Sequence, residues 1–92
     1  MTLNQEVIKI FIESRLISCH SFYLFNDHVE KREGDSRLVF ELRNSRLELH
    51  SLRHNRIIVS IEIPENIDST QCVSFAKKSF LEISQVIEKN EI

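Results

Sequence analysis

The stretch Arg37–Pro64, RLVFELRNSRLELHSLRHNRIIVSIEIP, alternates apolar and polar residues with a period of two. A chain with that pattern is held to β-structure with one buried face. Leu38, Phe40 and Leu42 share the apolar face of a first strand, against Arg37, Val39, Glu41 and Arg43. Leu47 and Leu49 continue it in a second strand, with Arg46, Glu48 and His50 opposite. Ile57, Val59, Ile61 and Ile63 make a β-branched third, and Pro64, which has no amide proton for a ladder, ends it.

The turns set the register, because a slip of one residue would turn the apolar set into water. A two-residue loop at Asn44-Ser45 pairs Leu42 with Leu47 and Phe40 with Leu49. The same loop length at His54-Asn55 would oppose Val59 to His50. A three-residue loop, Arg53 to Asn55, instead pairs Leu49 with Val59 and Leu47 with Ile61, and puts Asn55 where a left-handed residue is wanted. The outward face then carries the rows Arg43, Arg46, Glu62; Glu41, Glu48, Ser60; Val39, His50, Ile58; and Arg37, Leu52, Arg56.

Before this ribbon, Thr2 to about Ser18 reads as a helix, with Thr2 and Gln5 spaced as a capping box. Its stripe of Leu3, Val7, Ile10, Phe11 and Ile17 is expected to face the core. Ile8, Ile12 and Leu16 form a second stripe, and one helix on one sheet does not easily bury both. This second stripe either lies against the C-terminal helix of the same chain or forms a homodimer or partner surface. The run VIKIFI leaves a strand open as an alternative for part of the segment.

Cys19–Phe25 reads as a strand and Asn26–Ser36 as a long polar connection, with Gly34-Asp35 a turn signal and His28–Lys31 an alternative strand extension. Asp68 to about Lys89 reads as a strongly amphipathic helix, capped by Asp68 with Gln71. The expected fold is therefore α+β in the order αββββα: one domain over residues 1–92, a four-stranded, mostly antiparallel meander with the N- and C-terminal helices packed on one face.

A chain of 92 residues, 41% hydrophobic and 28% charged, fits one soluble globular core. The net charge of -2 gives no bulk attraction to nucleic acid or anionic lipid, and no apolar run approaches the ~20 residues of a membrane span. Cys19 and Cys72 lie far apart with no secretory signal before them, which points to free thiols and a cytoplasmic setting.

Catalytic patterns are weak. Cys19 and His20, as neighbours on a strand, would point to opposite faces. Glu41 and Glu48 oppose each other across the first hairpin, where Arg43 and Arg46 make them diagonal ion-pair partners before an acid/base pair. His50 and His54 have helical metal spacing but fall in a strand and a turn, where they diverge. We therefore expect no enzyme, no cofactor and no metal.

Two functions remain. The first is a small cytoplasmic interaction or regulatory factor of the inhibitor, immunity or adaptor type, acting as a homodimer or on another protein through Ile8, Ile12 and Leu16 and through Val39, His50 and Ile58. The alternative is a nucleic-acid-binding module using Arg37, Arg43, Arg46, Arg53 and Arg56, since six of the seven arginines lie in residues 28–58. The order helix, three strands, helix is superficially similar to the double-stranded-RNA-binding domain. The final helix here opens on Asp68-Ser69-Thr70-Gln71, an acidic cap that repels phosphate, so no residues carry over.

Overall fold

The computed structural model describes residues 2–90. Helix α1 (Leu3–His20) is followed by strands β1 (Tyr23–Phe25), β2 (His28–Glu33), β3 (Ser36–Arg43), β4 (Arg46–Ser51) and β5 (Arg56–Glu62), then by helix α2 (Ser69–Asn90). The strands form one antiparallel sheet in sequence order. Both helices cover the same face, α1 over β1 to β3 and α2 over β5. They run side by side in one direction: Asn4 Nδ2 donates to the Ile67 carbonyl at 2.9 Å, and His20 Nε2 lies 2.7 Å from Ser84 Oγ.

The sheet has five strands where four were expected. The added strand is β2, HVEKRE, from the run read as a polar connection. Its alternation is hard to see because Val29 is its one buried apolar residue, paired with Phe40, while His28, Glu30 and Arg32 fill the other face. Cys19 and His20 stay helical, so β1 shrinks to three residues. The helix ends at Ser21, whose left-handed backbone (φ 60°) takes the place usually held by glycine.

The first hairpin is as the alternation demands, with Leu42 opposite Leu47, Phe40 opposite Leu49, and a turn whose Asn44 and Ser45 both have positive φ. The β4–β5 pairing keeps Leu49 opposite Val59 and Leu47 opposite Ile61, and Asn55 is left-handed at φ 50°. The loop is one residue longer than expected, however, and a bulge at Ile57/Ile58 absorbs the difference, so His50 pairs with Ile57. Ile58 consequently packs against the core, and Ile57 is half exposed.

The core joins Ile8, Ile12 and Leu16 of α1 to Val29, Leu38, Phe40, Leu47, Leu49 and Val59 of the sheet and Cys72, Ala76, Ile83 and Ile87 of α2. The helix stripes thus stand in the reverse of the expected order. Ile8, Ile12 and Leu16 are 0% exposed, while Leu3, Val7, Ile10 and Ile17 of the larger stripe are exposed and its Phe11 packs partly against the core. Two polar tethers hold this rotation: Asn4 reaches the Ile67 carbonyl, and Gln5 Nε2 donates to Ser45 Oγ at 2.9 Å. Gln5 is also the capping-box partner of Thr2, so the first turn of α1 is fixed to its own cap and to the β3–β4 turn at once. Rolling the larger stripe inward would break both tethers.

Candidate functional site

Two faces present chemistry, and the first is the outward side of α1. Leu3 is 80% exposed, Val7 43%, Ile10 52% and Ile17 41%. With Ser14 they fall at positions 3, 7, 10, 14 and 17, a spacing of four and three that forms a continuous seam along a helix. Arg15 lies over the half-buried Phe11 ring at 4.9 Å beside this seam. The charged residues Lys9 and Glu13 are instead mostly buried, 3.7 Å apart, and burial pushes the Glu13 carboxyl above its ordinary range. A helix ordinarily turns its charges to water and its apolar stripe inward. Here one apolar stripe is inward, a second is outward, and charged side chains lie along the flank.

The second face is the side of the sheet opposite the helices, which carries two carboxylate centres. At the first, Glu30 of β2 is 2% exposed beneath a cover of cations. Arg37 donates to it twice, at 2.7 and 2.8 Å, Arg32 once at 3.1 Å, and His28 Nε2 lies 2.8 Å away. The Arg37 guanidinium, more than any other neighbour, holds the Glu30 carboxyl down at about 2. In return Glu30 raises the His28 pKa.

At the second centre, Glu41 and Glu48 face each other across β3 and β4, in the register the alternation predicts. His50 Nε2 lies 3.1 Å from Glu48 Oε1 and 3.5 Å from Glu41 Oε1. Arg43, well exposed, reaches Glu41 at 3.5 Å, whereas Arg46 turns to Ser60 and Glu62. Neither expected diagonal pair forms: Arg43 reaches Glu41 of its own strand, and Arg46 pairs with Glu62 directly opposite on β5.

No family model, curated protein or solved structure matches this chain. What it does must be read from these side chains.

The structure separates the nominated residues. Ile8, Ile12 and Leu16 lie within the monomer, so as a partner surface they are corrected: the outward face of α1 belongs to Leu3, Val7, Ile10 and Ile17. Val39 and His50 are paired across the hairpin, but the bulge removes Ile58 from their row and substitutes Ile57. Of the five arginines, Arg37, Arg43 and Arg46 are engaged with carboxylates, and Arg53 and Arg56 stand exposed at the β4–β5 end.

The sequence pattern did not reveal the Glu30 centre, because His28–Lys31 stood there only as an alternative strand extension with no register, and the meeting of Glu30 with Arg37 depends on the β2–β3 register. A cleft of about 390 Å³ bounded by His20, Lys31, Glu33 and Glu88 was also unforeseen. It depends on the C-terminal ends of both helices meeting the β2–β3 hairpin.

Proposed function

We propose that this chain is a small non-enzymatic interaction or regulatory factor, of the inhibitor, immunity or adaptor type, that works as a homodimer through the outward face of α1. One observation carries the reading: four large apolar side chains at seam spacing lie in water on a helix that already buries Ile8, Ile12 and Leu16. From Leu3 to Ile17 this seam runs roughly 21 Å, long enough for another helix to lie along it. A second copy supplies an identical seam, so the face is self-complementary about a twofold axis. Cytoplasmic placement goes with this reading, supported by Cys19 and Cys72 being thiols rather than a disulfide.

The arginines favour this reading over nucleic-acid binding. Three of the five nominated side chains each have a carboxylate within 4 Å, at Glu30, Glu41 or Glu62, which weakens their pull on a phosphate backbone.

Sedimentation and light scattering test the proposal. We expect twice the 10.9 kDa chain mass at micromolar concentration for the native sequence, and the monomer mass with an unchanged circular dichroism spectrum for Ile10→Glu. A native protein that stays monomeric, or an Ile10→Glu variant that stays dimeric, would overturn it.

A further inference from the structure

We infer that Glu41, Glu48 and His50 form a binding site for one divalent transition-metal ion of the zinc class on the outward face of the sheet. Each offers one ligand atom, and the three atoms lie within 4.8 Å of one another. Ligands bonded to one Zn²⁺ at about 2.0–2.2 Å stand about 3.3–3.6 Å apart in a tetrahedron. Of the two His50 separations, 3.5 Å falls within that range and 3.1 Å just below it. Glu41 is the more exposed of the two carboxylates and so the freer to adjust toward an ion.

The two carboxylate centres of this face show why a cation is called for at one of them. Glu30 is enclosed by two arginines and a histidine. Glu41 and Glu48 are two like charges placed directly opposite, an arrangement that opposes pairing. Glu48 is nine-tenths buried, and among the described residues the cations within reach of the pair are His50, charged only when protonated, and the exposed Arg43. A divalent ion bound here supplies the charge that the arginines supply at Glu30. The donor set of two carboxylates and one imidazole suits Zn²⁺, Co²⁺ or Mn²⁺, and the fourth position opens to solvent on the Glu41 side.

The sequence led to an expectation of no metal, because the one metal spacing it offered, His50 with His54, falls in a strand and a turn and diverges. The cross-strand register brings Glu41, Glu48 and His50 together.

The test is titration of the full chain with ZnCl₂ and CoCl₂. The expected results are saturation at one ion per chain, a visible Co²⁺ absorption band of a tetrahedral nitrogen and oxygen site, and a Tm rise of about 10–20 °C once Zn²⁺ is ~100-fold above its Kd. His50→Gln and Glu41→Gln should each lose at least tenfold in affinity. Cys19→Ser and His54→Gln, which remove other surface donors, should bind as the native chain does. Should the site variants fail to fold, Mn²⁺ broadening in the NMR spectrum of the native protein decides the matter by marking the residues near the ion. Broadening centred on Glu41, Glu48 and His50 supports the site. The absence of saturable binding, full binding by His50→Gln, loss of binding in Cys19→Ser, or broadening centred elsewhere would each overturn it.

Discussion

Neighbouring positions in α1 have opposite fates, and this makes the helix testable one side chain at a time. Ile12 is 0% exposed and Ile10 52%. Removing the Ile12 side chain leaves a cavity between helix and sheet, so Ile12→Ala should lower unfolding free energy by about 2–5 kcal/mol. Ile10→Ala should change the monomer's stability by no more than ~0.5 kcal/mol. Urea denaturation at a concentration where the native chain is monomeric checks both, and equal effects would mean that α1 is rotated from the orientation described. Glu30 sets a pH dependence of its own. Its carboxyl is held below the ordinary range, so the stability it confers is present above pH ~4.5 and is lost as pH falls toward 2. His28 is shifted the other way, so its contribution is full below its ordinary value of 6.5 and fades as pH rises through the raised folded value. Both contributions coexist between pH ~4.5 and ~6.5. The urea midpoint should be highest there as far as this cluster controls it, and Glu30→Gln should flatten both limbs.

Among the elements, turns and caps are where local chemistry can be improved without touching the core. Ser21 closes α1 in a left-handed conformation and is exposed. Such a conformation costs a residue with a Cβ about 1 kcal/mol, which glycine avoids. Ser21→Gly should therefore raise stability by up to ~1 kcal/mol, seen as a Tm increase of several degrees, and a decrease would show that the serine hydroxyl has a role there. The strands at the centre of the sheet were legible because their alternation is long and their turns constrain register: Leu42 to Leu47 and Leu49 to Val59 follow from counting. β2 was legible only as the alternative extension His28–Lys31, because it puts a single apolar side chain, Val29, under α1 and is charged elsewhere. The Ile57/Ile58 bulge was not legible, since Ile at both positions lets either side chain turn inward without loss of apolar character. The candidate sites divide the same way: opposition of Glu41 and Glu48 was readable from the register, while the enclosure of Glu30 required knowing that β2 exists.

Across the whole molecule, the rotation of α1 shows the limit of counting apolar residues. The larger stripe would win if burial alone decided, but contacts spanning 63 and 40 residues fix the first turn, and the smaller stripe is the one they turn inward. The surplus apolar face that results makes stability depend on protein concentration. If α1 seams pair, folding is linked to association, and the unfolding midpoint must rise with protein concentration by mass action. We expect the native Tm to climb steadily between about 1 and 100 µM, and the Tm of Ile10→Glu to stay flat across the same range. The glutamates would have to be buried against each other in a dimer, and like charges in a dry interface are strongly disfavoured. A flat native Tm would show that the seam is not filled by a second copy. A sloping Tm retained by Ile10→Glu would place the dimer contact on another face, with the exposed edge strand β1, Tyr23–Phe25, the next surface to probe.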